Sequence, residues 1–169
     1  MAREKGLTLG VWDRLMAASG SSNPNHTVQP MTLEQVKSSV ARDLEALLNT
    51  RVAISEEKFS LYPRCRTSVL NYGVRDFAAM CLTSSEDRKI ICDYLKVAIQ
   101  CYEPRLKNVR AKVVMEPGVM NRLDFVIFGN LDFPGAAGRV EFNATLQPST
   151  LHYSITPSGR RATPLREAA

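Results

Sequence analysis

The 169-residue chain is short of the features that announce most activities. No apolar run approaches the roughly 20 residues needed to span a bilayer as a helix. The start, Met1-Ala2-Arg3-Glu4-Lys5-Gly6, lacks the apolar core and small-residue cleavage site of a secretory signal. Together these predict a cytosolic protein. Histidine is scarce, with only His26 and His152, and neither lies near one of the four cysteines in sequence. Cys65, Cys81, Cys92 and Cys101 form no CxxC pair, so neither a metal site nor a redox motif is indicated. The expectation is four buried, reduced thiols. No Walker or dinucleotide glycine motif and no GxSxG elbow is present.

Concentrated positive charge is also missing. The net charge is +5, but residues 31–155 hold sixteen basic and fourteen acidic side chains, so +3 of it lies in the two ends. No basic run exceeds Arg160-Arg161, and aromatic and basic residues do not interleave. A single-strand-binding surface would need both, so nucleic-acid binding is disfavoured. What remains is a composition of 44% hydrophobic and 23% charged residues, that of an ordinary globular domain.

Residues 7–17 place Leu7, Val11, Trp12, Leu15 and Met16 on one helical face, followed by a polar linker at 18–26. So short a helix is unstable alone, and its apolar face can serve either its own core or a partner's groove. Residues 1–30 therefore read as an amphipathic segment and linker, 31–156 as the folded domain and 157–169 as a disordered tail. The first strong helix spans 33–49. Thr32 and Gln35 have capping-box spacing, with Met31 set to staple against Val36. Leu33, Val36, Val40, Leu44, Leu47 and Leu48 form its apolar stripe, with Arg42, Asp43 and Glu45 on or near the wet side.

Residues 55–82 give a mixed signal: a loop at 62–66, a turn at 68–73 hinged on Gly73, and a brief helix over 74–82. A second strong helix starts at a Thr83/Ser84 cap, carries Ile91, Tyr94, Leu95, Ala98 and Tyr102 on one side, and stops at Glu103-Pro104. Beyond it the period changes to two. Val109, Ala111, Val113 and Met115 alternate with polar residues, as do Leu123, Phe125 and Ile127, then Val140, Phe142, Ala144 and Leu146. Leu151, Tyr153 and Ile155 offer a short fourth strand. Helices first and strands afterwards predict an α+β fold: two main helices packed on an antiparallel sheet of three to four strands, preceded by the short N-terminal amphipathic helix.

The joint between the two halves, Tyr102-Glu103-Pro104-Arg105, carries the candidate site. Proline cannot continue a helix. A carboxylate at a helix C-terminus faces the negative end of the macrodipole, so something else must hold Glu103. In extended backbone Glu103 and Arg105 project to the same side and can pair. Arg51, just past the first helix, is either simply a cation favoured near a helix C-terminus or a second candidate partner for Glu103. Catalysis by paired carboxylates would draw on Glu103, Glu116, Asp124 and Asp132. A neighbouring arginine lowers a carboxylate pKa where a general acid needs it raised, which counts against a muramidase. No cofactor is indicated.

Three stretches in order, 39–51 (SVARDLEALLNTR), 68–73 (SVLNYG) and 102–106 (YEPRL), with 11–15 (VWDRL) ahead of them, resemble the phage baseplate wedge family. That family includes the TssE components of type VI secretion baseplates and has carried a lysozyme-like label. The resemblance implies a non-enzymatic structural role in a contractile injection machine, with the sheet extended by strands from the first sheath ring. The partners it implies are the baseplate proteins TssF, TssG and TssK, the spike protein VgrG and the sheath proteins TssB and TssC. Glu103, Pro104 and Arg105 fall on the family's Glu-Pro-Arg motif, and Arg51 closes its Leu-Leu-Asn-Thr-Arg stretch.

Overall fold

A computed structural model describes residues 32–81, 83–114, 122–132 and 138–158. The N-terminal face of Leu7, Val11, Trp12, Leu15 and Met16, the Met31 staple, Glu116 and residues 159–169 lie outside the described residues.

Helix α1 runs Leu33–Leu48. The capping box forms: the Gln35 amide donates to Thr32 Oγ1 at 3.3 Å, and the Thr32 amide donates to Gln35 Oε1 at 2.8 Å. Val36, Val40, Ala41, Leu44, Leu47 and Leu48 are buried, whereas Leu33 is exposed because the first turn stands clear of the core. Helix α3, Ser85–Tyr102, is capped by Ser84 with Glu86 and Asp87 in its first turn, and buries Ile91, Leu95, Ala98 and Ile99. Acidic residues there complement the helix dipole.

Between them the chain departs from its expected path. A short helix α2, Glu56–Leu61, forms first, and the expected loop at 62–66 is a 3-10 turn, Pro63–Thr67. A second 3-10 turn, Val69–Asn71, leads to Gly73. No helix forms at 74–81. The Val74 amide donates to the Thr50 carbonyl at 2.8 Å and the Val52 amide to the Val74 carbonyl at 3.1 Å, a strand-like bridge that pulls this segment straight. Val74 and Phe77 then drop into the core. Gly73 has φ +121°, and a Cβ there would stand 2.5 Å from the Thr50 carbonyl oxygen, so only glycine fits.

The sheet is an antiparallel meander in the order β1-β2-β3-β4: Leu106–Val114, Leu123–Leu131, Gly138–Gln147 and His152–Pro157. Alternation along β2, β3 and β4 puts Phe125, Ile127, Phe142, Leu146, Tyr153 and Ile155 on the buried face. Strand β1 breaks the period. Asn108 has φ +53° and the pairing shifts between Lys107 and Arg110. That bulge lets Leu106 and Val109, three apart, both enter the core. Pro157 is the last residue of β4, and the Ser158 amide donates to the Glu141 carbonyl at 2.9 Å.

Helix α3 lies against β1 and α1 against β4, and their apolar stripes close one core over the sheet. This is the expected α+β architecture. The four cysteines are free, but they are not buried as expected: Cys65 and Cys92 are half-buried, Cys81 and Cys101 exposed. Cys101 falls off the α3 stripe, and Cys81 stands in the turn before the Ser84 cap.

Candidate functional site

The helix-to-strand joint takes only three residues. Glu103 leaves the helical conformation at φ −119°, ψ 78° while its amide still donates to the Ile99 carbonyl. The Leu106 amide donates to the Glu103 carbonyl at 3.1 Å, and the Asp132 amide to the Arg105 carbonyl at 2.8 Å, pinning the joint to the end of β2. Within it the Glu103 side chain is buried; the residue is 4% exposed. Its Oε1 accepts from the Arg105 amide at 3.2 Å and from Nε at 2.7 Å, and its Oε2 accepts from Nη2 at 2.6 Å. The planar guanidinium fork suits this two-point pairing.

Arg105 reaches further than its neighbour. Nη2 also donates to Asp43 Oδ2 at 2.5 Å, and Nη1 to Ser39 Oγ at 3.3 Å, both on α1. One side chain thus ties α1 to the α3–β1 joint. Burial alone would lower the Arg105 pKa, but the Glu103 and Asp43 carboxylates outweigh it and raise it. The cation is therefore permanent, and the motif is an ion-paired brace.

Arg51 does not join this brace. Its Nη1 donates to the Leu48 carbonyl at 2.6 Å and its Nη2 to the Leu151 carbonyl at 2.7 Å. Its guanidinium carbon lies 5.3 Å from the Phe77 ring centre and 5.9 Å from that of Tyr153. Of the two roles open to Arg51, it takes the one at the helix C-terminus and not the pairing with Glu103: it caps the end of α1 and stacks on aromatic faces. Beside it the Tyr153 hydroxyl is buried with no hydrogen-bond partner among the described residues. Burial pushes its pKa up, against the opposing field of Arg51.

Two further aromatics connect the brace to the surface. Tyr102 and Tyr72 meet edge to face with centroids 5.2 Å apart, and the Tyr102 hydroxyl donates to the Ser68 carbonyl at 2.8 Å. The Tyr72 phenol is raised by burial and by the nearby Asp43 and Glu103 carboxylates. The Tyr102 phenol is pushed up to about 12, mainly by burial.

Sequence reading missed three residues of α1 and its C-cap, Asn49. Asp43 and Ser39 belong to the brace. Glu45 and Asn49 serve β4: the Tyr153 amide donates to Asn49 Oδ1 at 2.8 Å, Asn49 Nδ2 donates to the Tyr153 carbonyl at 2.9 Å, and the Ile155 amide donates to Glu45 Oε2 at 2.8 Å. Four residues of helix rise about 6 Å, close to the roughly 6.6 Å between alternate strand residues. Side chains one turn apart can therefore stand in for a neighbouring strand. Glu45/Asn49 and Ser39/Asp43 are both i, i+4 pairs flanking the apolar stripe, and that spacing was the available signal.

The other candidate carboxylates are dispersed. Asp124 accepts from Arg122 Nε at 2.8 Å and from the Thr145 hydroxyl at 2.7 Å, and Asp132 is exposed. Among the described residues no group of three or more His, Cys, Asp and Glu side chains could hold a metal ion, and no helix is long and apolar enough to cross a membrane.

Comparison with known proteins adds the following. No curated protein matches the chain. A solved chain from "The baseplate complex from the type VI secretion system" is 20% identical, with a TM-score of 0.46, over 68% of this chain and 96% of that one. The family described as "Baseplate wedge protein gp25" matches residues 34–133. That span takes in α1, the turns, α3, the brace and the first two strands. Matched over more than half its length, the chain belongs to the baseplate wedge protein gp25 family.

Proposed function

We propose that this chain is a non-enzymatic wedge component of a type VI secretion baseplate that helps start sheath polymerisation. The observation that carries the reading is the family match over 34–133, which includes the whole brace. The proposed setting is cytoplasmic, at the inner face of the secretion complex. The proposed partners are TssF, TssG and TssK in the wedge, VgrG in the spike, and TssB and TssC in the sheath.

Strand addition is the proposed sheath contact. An edge strand offers unpaired amides and carbonyls that a partner strand satisfies. Glu45 and Asn49 already occupy the outer edge of β4, which favours β1 as the receiving edge. The buried brace supports a structural role for Glu103, Pro104 and Arg105 in holding that edge, with Arg51 holding the opposite one. The N-terminal face of Leu7, Val11, Trp12, Leu15 and Met16 is proposed to dock on a wedge partner.

The test is complementation in a secreting strain that lacks the gene and carries a fluorescent sheath. The wild-type chain should restore sheath assembly, and Glu103→Ala or Arg105→Ala should impair it. Normal sheaths in the absence of the gene would refute the assignment.

A further inference from the structure

We propose that the strand added at β1 carries Asp or Glu at two alternate positions, opposite Arg110 and Lys112, with an apolar residue two positions further on, opposite Val114. The inference rests on the strand-addition reading and names the partner chemistry which that reading leaves open.

β1 ends the sheet and, among the described residues, pairs only with β2. The bulge at Asn108 interrupts its ladder, so the regular stretch is 110–114. Along it the two faces alternate. Ala111 and Val113 turn to the core but are only half-buried, whereas their partners on β2, Ile127 and Phe125, are 0% and 1% exposed. Apolar side chains of a further strand would complete that cover. The other face holds Arg110, Lys112 and Val114, all exposed. Opposite the two cations on β2 stand Phe128 and Val126, so neither meets an acid across the strands. The exposed positions of β4, His152, Ser154 and Thr156, carry no such pair, and that edge is already held by α1.

Neighbouring acids do not answer these cations. Residues 103–116 hold Arg105, Lys107, Arg110 and Lys112 against Glu103 and Glu116, a net of +2. Glu103 is taken by Arg105, and Asp124 by Arg122. Glu141 lies on β3, beyond Phe128, and Asp132 follows β2 past the Leu106–Leu131 pair, at the end away from Lys112. The exposed charges of α3, which packs on β1, are balanced: Glu86 pairs with Lys89, and Asp93 is matched by Lys96. Among the described residues Arg110 and Lys112 have no ion-pair partner. Opposite charges directly across two strands attract, and like charges repel. A second copy paired antiparallel about Ala111 would set Arg110 of one copy against Lys112 of the other. The segments of this chain outside the described residues carry only Glu4, Asp13, Glu116 and Glu167, no two of them two positions apart. The acidic pair therefore comes from another protein.

The test uses the full chain in the complementation strain with the fluorescent sheath. Arg110→Glu with Lys112→Glu should lower sheath counts about tenfold, since like charges across an interface cost affinity. Both side chains are exposed, and an unchanged Tm shows that folding is intact. A photo-crosslinker at position 114 should capture a partner peptide with two acids two residues apart. Replacing those acids by lysine should restore sheaths to the glutamate variant and remove them from wild type. Equal sheath counts in the glutamate variant overturn the inference, as does capture of a second copy or of this chain's own residues. If Arg110→Ser with Lys112→Ser self-associates while sheaths form normally, the cations only keep copies apart, and the inference falls. Capture of a strand without the acidic pair also overturns it but leaves strand addition at β1 standing. No capture at 114 while wild-type sheaths form removes β1 as the receiving edge, and both fall.

Discussion

The two polar flanks of α1 do different work with the same spacing. On one, Ser39 and Asp43 meet the guanidinium of Arg105, itself locked to a buried carboxylate. On the other, Glu45 and Asn49 meet the bare backbone of β4. The first flank balances charge and the second replaces a missing strand. The difference sets how each should fail. Breaking the brace strands a buried ion, which is costly in a low-dielectric surrounding. Breaking the backbone capture leaves neutral groups unpaired, which costs less.

Arg105→Ala is the most damaging change expected, destabilising by about 3–5 kcal/mol in urea unfolding because Glu103 is left charged and buried. Adding Glu103→Gln should recover part of that loss; if it recovers none, uncompensated charge is not the cause. Asn49→Ala should cost about 2 kcal/mol, since the Tyr153 amide and carbonyl lose their partner together. A loss equal to that of Arg105→Ala would erase the distinction between the flanks. Tyr153→Phe should lie within about 0.5 kcal/mol of wild type or be more stable, because its hydroxyl is buried without a bond. A large loss there would reveal a partner for that oxygen.

The parts of this contrast legible in sequence are those written in periodicity. The stripes of α1 and α3 and the alternation of β2 and β3 follow from where apolar residues recur, and the core formed as they indicate. Glu103 and Arg105 could be paired because they are two residues apart. Asp43 could not, since it lies 62 residues from Arg105 and reads as an ordinary wet-side carboxylate. Glu45 and Asn49 were equally hidden, because a bond to backbone leaves no complementary residue type to find. Arg51 was legible as a cation at the C-terminus of α1, but its further partners were hidden for a related reason. Charge invites a search for opposite charge, whereas its partners are two carbonyls and two rings. The stretch from 55 to 82 has no sustained period, and its 3-10 turns are set by local caps and the Thr50–Val74 bridge.

The occupied edge of β4 also matters while the molecule is alone. An open four-stranded meander can add a copy of itself at either side, and repeated addition leads to fibrils. With the outward Tyr153 and Ile155 groups already bonded to α1, two copies cannot zip β4 to β4 without first tearing that helix from its own sheet. The chain carries its own guard against runaway polymerisation on that flank.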